Sequence, residues 1–271
     1  MTTAAVVAGH THRRRRWAAG AVGALALAWL LVPLLPVLVW AAAERWPFPD
    51  VLPSAWGLVG WREAVDAGLP AALLRSAGLG LAVAALATPL GLMLGRVLGW
   101  GLVRRRGLLV TVLLLPLVLP AFAVAMGLDV VVLRVGVPDR LAVVLVLATM
   151  ALPYTALTTA AGFARTSPDL AAQARALGAT PGRARRQVVL PALRGSIVVA
   201  ALLAFLVGWS DYVVTVLIGG GQLVTAPVLL GSAAAGSGNE PVTAALAVAT
   251  LVPPVVLVLL AGATGRGRRA R

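Results

Sequence analysis

The chain has 271 residues, of which 60% are hydrophobic and 12% charged, and its mean hydropathy is +0.95. A soluble domain is nearer about 45–50% apolar and about 25% charged, so this composition excludes disorder and points to a protein that crosses a membrane several times. The net charge is +14 and all 23 basic residues are arginine. With neither lysine nor cysteine, a Walker A phosphate loop, a Schiff-base lysine, disulfides and thiol chemistry are excluded.

A hydrocarbon core about 30 Å thick needs roughly 20 apolar residues per helix. Residues 1–16 read as a basic tail ending in Arg13–Arg16, and the first predicted span, Trp17–Ala43, carries Pro33 and Pro36. Arginines before an apolar run that ends in Ala41–Ala43 have the outline of a secretory signal. The apolar region of a signal is only about 7–15 residues long, so this longer run is read as a retained first helix. The segment Glu44–Pro70 holds Trp46, Trp56 and Trp61 and fits an interfacial belt or a short surface helix.

The second span, Ala71–Trp100, contains Pro89 and ends near Arg96, whose long side chain can snorkel to the interface. The third, Leu108–Leu128, carries Pro116 and Pro120, and the fourth, Leu141–Phe163, carries Pro153. A polar loop, residues 164–195, precedes the fifth span, Ser196–Ile218, which contains Asp211. The sixth, Val242–Ala261, includes Pro253 and Pro254, and residues 263–271 form a second basic tail. Proline is tolerated in such helices where neighbours satisfy the freed carbonyls. The predicted fold is an all-α membrane protein with a six-helix transmembrane domain over residues 17–262.

A charge of +14 is also the footprint of nucleic-acid binding, and the placement of the arginines decides between the readings. With both termini in the cytoplasm, 17 of the 23 arginines fall on the inner side, in the two tails, at Arg104–Arg106 and in the loop 164–195. Of nine acids, only Asp169 joins them. This is the positive-inside pattern, reinforced by contact with anionic inner-leaflet lipid. The charge is therefore read as an orientation signal, with membrane lipid and not nucleic acid as its partner.

The residues for bond-making chemistry are lacking. The only histidines are His10 and His12, in the first tail, so a Ser-His-Asp arrangement is out of reach, and no cluster has zinc-ligand spacing. No metal, cofactor or catalytic residue is predicted. Asp211 is the one acid placed well inside a span. An ionisable group there should face a cavity or a partner. With Trp209, Ser210 and Tyr212 it is a candidate lining of a translocation pathway, and the alternative is pairing with Arg134 or Arg140.

The loop 164–195 reads as a capped helix–turn–helix. Ser167 suits an N-cap, Pro168 the first helical position, and Asp169 complements the helix dipole. Leu170, Ala171, Ala174 and Leu177 share a face, and Gly178 is placed for a left-handed cap. Thr180 and Pro181 repeat the start signal, and Pro191 is expected to end the second helix before the fifth span. The apolar stripe can pack beneath its own bundle or dock a cytoplasmic partner.

This loop resembles the cytoplasmic motif of permease subunits of binding-protein-dependent ABC importers, Glu-Ala-Ala, three residues, Gly, nine residues, Ile, one residue, Leu-Pro. Ala172, Gln173 and Ala174 occupy the first place, Gly178 follows in register, and Val188, Leu190 and Pro191 fill the last. The acidic position is Ala172, with Asp169 three residues earlier. The resemblance extends through Ala204–Tyr212 and Thr225–Leu230 and is closest to the branch serving polyamines, thiamine and iron. It implies a type I importer permease in the bacterial inner membrane, assembled with separate ATPase subunits, a second permease subunit, identical or different, and an extracytoplasmic solute-binding protein. It implies that the hairpin, with Arg183 and Arg186, couples to the ATPase. An ion-coupled secondary transporter would need more acids within spans than Asp211, and a non-transporting scaffold would have no use for the motif.

Overall fold

The computed structural model describes residues 20–266 apart from 27, 30, 48, 237 and 239. The tail with His10, His12 and Arg13–Arg16, the start of the first span at Trp17, and Arg268, Arg269 and Arg271 lie outside the described residues. The chain forms two compact units, Met1–Asp66 with Ser237–Val248, and Ala67–Gly236 with Ala249–Arg271.

In the first unit, residues 20–26 are helical, and the run expected as one span is interrupted at its prolines. Val32–Leu34 is a 3-10 turn containing Pro33, and α1 (Leu35–Ala41) begins with Pro36 in its first turn. Proline suits these positions because the first turn of a helix has no use for its missing N–H. The chain then forms a small hairpin, β1 (Ala43–Arg45) antiparallel to β2 (Ala55–Trp56), and a short helix, α2 (Val59–Asp66). Indole N–H groups hold this segment together. Trp46 Nε1 donates to Asp50 O at 2.8 Å, and Trp61 Nε1 donates to Ala41 O at 2.9 Å.

The second unit is built on three helices, α3 (Leu69–Gly99), α6 (Asp139–Ala164) and α9 (Leu190–Ser210). Their close approach is written in small residues. Gly91, Gly95 and Gly99 of α3 recur every four residues, and a Cβ at each would collide with Thr155, Thr159 or Phe163 of α6. The threonines use the proximity. Thr155 Oγ1 donates to Ala87 O at 3.2 Å, and Thr159 Oγ1 lies 2.8 Å from Gly91 O. Small residues and interhelical hydroxyl bonds are the means by which helices associate where lipid removes the hydrophobic drive between them. On the other side, a Cβ on Gly208 of α9 would lie 2.9 Å from Gly80 Cα of α3. A core of Leu79, Val83, Val143, Leu147 and Ala204 fills the junction.

Two predicted spans of this unit also require correction. The third is not one helix but two, α4 (Arg106–Val118) and α5 (Ala121–Val135), bent by 94° at the break. Pro120 has no N–H to reach the carbonyl of Pro116, and a residue before proline is driven out of the helical region. Accordingly Leu119 (ψ 136°) is extended, and Pro120 (ψ 128°) is also outside the helical region. The fifth begins earlier and ends sooner than expected. α8 (Pro181–Ala184) continues through a π turn, Arg185–Val189, into α9, which stops at Ser210. Beyond it lie α10 (Val213–Leu217), α11 (Ala226–Ala234) and α12 (Glu240–Arg266). Among the described residues, four helices are long and apolar enough to cross a membrane, and a fifth crossing requires the bent pair to count as one.

Candidate functional site

The segment that joins α6 to α9 carries most of the predicted site residues. α7 (Asp169–Ala176) is entered through Ser167, whose Oγ accepts the Asp169 N–H at 3.2 Å. It ends in a two-bond left-handed cap. Gly178 has φ +87°, its N–H donates to Arg175 O at 2.9 Å, and Ala179 N–H donates to Ala174 O at 3.0 Å. This is the Schellman arrangement, which satisfies carbonyls the helix would leave orphaned. Thr180 Oγ1 then accepts the Arg183 N–H at 3.3 Å and caps α8.

The expected apolar stripe is split. Leu170, Ala171 and Ala174 are half-buried, Ala171 against the cluster of Phe163, Val189 and Leu193. Leu177 leaves that face and is 90% exposed, because the helix stops at Ala176 and Leu177 sits at the turn. Asp169, Ala172, Gln173, Gly178, Arg183, Arg186 and Pro191 are exposed, while Val188 and Leu190 are half-buried. The hairpin thus packs one side beneath its own bundle and leaves its tip, led by Leu177, bare.

Pro191 does not end the second helix, as the sequence suggested. The π turn absorbs it. Leu190 N–H reaches back to Arg185 O, one residue further than in an α-helix. The extra residue gives the proline room, and π turns of one cycle are the usual form such adjustments take. In consequence a single rod, Pro181–Ser210, runs from the hairpin turn to the end of α9 and is long and apolar enough to cross a membrane.

At the far end of that rod, Asp211 is not inside a continuous helix. It occupies an extended break (φ −72°, ψ 133°) between α9 and α10. Its Oδ2 accepts Thr215 N–H at 2.8 Å and Thr215 Oγ1–H at 2.9 Å, so it caps α10 and engages Thr215 instead of Arg134 or Arg140. Trp209, expected beside it in a pathway, is buried; its Nε1 donates to Thr250 O at 3.1 Å and its ring stacks on Phe205. Ser210 Oγ donates to Leu206 O at 2.7 Å within its own helix. Tyr212 covers Gly231 on α11, where a Cβ would come within 2.5 Å of its ring. Of the four, Ser210, Asp211 and Tyr212 stay accessible and Trp209 is an anchor.

The sequence reading missed the partners of this region. Thr215 follows Asp211 by four residues, a spacing that signals a cap only once the helix break is known. Ser76 Oγ, fully buried, accepts the Ala226 N–H at 2.8 Å, and Arg75 Nη1 donates to Val224 O at 3.3 Å, so the start of α11 is tied to α3. No local pattern marks either pairing. Arg96, expected to snorkel, is exposed and lies over the Trp100 ring at 5.1 Å, and Trp100 Nε1 donates to Thr166 O at 3.0 Å. This fastens the end of α3 to the hairpin's entry.

Comparison with known proteins places these features in a group. Residues 87–269 match the family described as binding-protein-dependent transport system inner membrane component. The trehalose transport system permease protein SugB of Mycobacterium tuberculosis is 30% identical over 194 residues, covering 70% of this chain and 71% of that protein.

Proposed function

This chain belongs to the family of inner membrane components of binding-protein-dependent transport systems, and from that premise we propose how its parts divide the work of an ABC importer. It is a multi-pass permease component without catalysis of its own, and ATP hydrolysis belongs to a separate subunit. In our reading the hairpin 164–195 faces the cytoplasm and docks on an ATPase subunit, with Leu177 and the residues around Gly178 as the contact. The rod Pro181–Ser210 carries the resulting movement to the break at Asp211. There Ser210, Asp211 and Tyr212 line the pathway, and Trp209 holds the end of the rod in place.

The observation that carries this reading is the exposure of Leu177 at the tip of a capped turn that is continuous with a membrane-spanning helix. Docking would remove this apolar side chain from water, a favourable contribution to the contact. Replacing Leu177 with Glu should abolish co-purification of the ATPase subunit while leaving the permease in the membrane. Undiminished co-purification would place the contact elsewhere.

Six spans with both termini inside remain our proposed topology. The bent pair α4–α5 then crosses once, as the arginine asymmetry requires. The full assembly adds a second permease subunit and an extracytoplasmic solute-binding protein. For the solute, the trehalose system of the relative favours a sugar over the polyamine, thiamine and iron branch suggested by the fifth span. Uptake of labelled disaccharides against spermidine in cells with and without this permease tests the choice; spermidine uptake alone would reverse it.

A further inference from the structure

Beneath the hairpin lies a cavity of about 680 Å³, within the range of ligand sites. Its walls come from the end of α3, the end of α6, α7, α8 and the π turn. Three arginines from three separate elements border it, Arg96 on α3, Arg175 on α7 and Arg185 on the π turn, and no carboxylate lines it. The remaining wall is apolar and includes Leu92, Trp100 and Phe163. From it Met93 continues along α3 at 69% exposed, an apolar edge leading away from the charges. The site is therefore amphipathic, with a cationic rim and a greasy flank side by side.

We propose that this cavity binds the phosphate headgroup of an anionic phospholipid from the inner leaflet, with its acyl chains following the Leu92–Met93 side of α3. Three guanidinium groups with no carboxylate among them leave a local excess of positive charge that a phosphodiester neutralises, and guanidinium matches phosphate oxygens in paired hydrogen bonds. Basic pockets between helices at the cytoplasmic face are suited to such headgroups. The apolar flank selects a lipid over a soluble phosphate, which would leave half-buried Leu92 and exposed Met93 in contact with water. Because the lining comes from both α3 and the hairpin, the bound lipid joins the span to the coupling element. The inference rests on the inside placement of the hairpin and not on which solute is carried.

The test uses the assembled, purified transporter. Native mass spectrometry should show phosphatidylglycerol retained in preference to phosphatidylcholine. The variant with Arg96→Gln, Arg175→Gln and Arg185→Gln should retain about tenfold less or lower, since each guanidinium removed forfeits a charge-assisted contact. The corresponding Lys variant should recover part of the retention. A second readout is quenching of tryptophan fluorescence by phosphatidylglycerol with brominated acyl chains, which should be smaller in the Trp100→Phe variant, where the other seven tryptophans remain. Equal retention of both lipids, retention unchanged in the Gln variant, or quenching unaffected by Trp100→Phe would overturn the proposal. Displacement of the lipid by millimolar glycerol phosphate would show a soluble-phosphate site instead and would equally overturn it.

Discussion

Gly178 acts through its backbone alone. A Cβ there would meet nothing within 4 Å, so the whole penalty of a side chain is the left-handed conformation at φ +87°, roughly 1–2 kcal/mol for an ordinary L-residue. Gly178→Val should therefore loosen the turn and lower the uptake obtained per ATP hydrolysed in reconstituted vesicles. Gly178→Asn, which visits this region more readily, should stay closer to the original. Equal behaviour of Val and Gly would mean that the turn is not part of coupling. This residue was legible in the sequence because glycine is the usual occupant of the place where a helix must turn left-handed. Asp211 was half legible. Its cost within apolar surroundings marked it, but its role as the cap of α10 depends on a break that no hydropathy pattern records. Replacing Asp211 with Asn keeps an oxygen acceptor for Thr215 and removes the charge. Uptake should fall while membrane expression persists; unchanged uptake would reduce Asp211 to a cap.

Among the elements, two of the membrane-length helices were placed within two residues at each end. α3 spans Leu69–Gly99 where 71–100 was expected, and α6 spans Asp139–Ala164 where 141–163 was expected. Length and hydrophobicity suffice for that. They are blind to direction, and the misplaced elements involve a change of direction or of helix type at proline. Pro120 yields a 94° bend where a straight span was expected, and Pro191 is accommodated by a π turn where an end was expected. The pairing of α3 with α6 was also invisible, because glycines scattered through an apolar run become a stripe only when set against Thr155, Thr159 and Phe163. This contact makes a sharp prediction. Gly95→Leu should lower the thermal stability of the purified chain strongly, since the new side chain has no room. Thr159→Val should cost only about 0.6–2 kcal/mol, the size of an interhelical hydroxyl bond in membranes. A neutral Gly95→Leu would contradict the packing.

At the level of the whole molecule, arginine placement bears on orientation while the bent pair decides the number of crossings. The chain contains no cysteine, so single introduced thiols report sidedness without background. Arg105→Cys should react from the cytoplasm and Val137→Cys from outside. Labelling of both from one side would make α4–α5 a re-entrant loop and remove one crossing from the proposed six.

The central claim is that the bare tip of the hairpin seats an ATPase subunit, and a photo-crosslinking amino acid in place of Leu177, used in membranes holding the assembled importer, tests it most directly. The account predicts a crosslinked product joining this permease to the ATPase subunit, strengthened or weakened as nucleotide is added. Efficient crosslinking confined to the permease itself or to lipid, with the ATPase present and none of it captured, would contradict it.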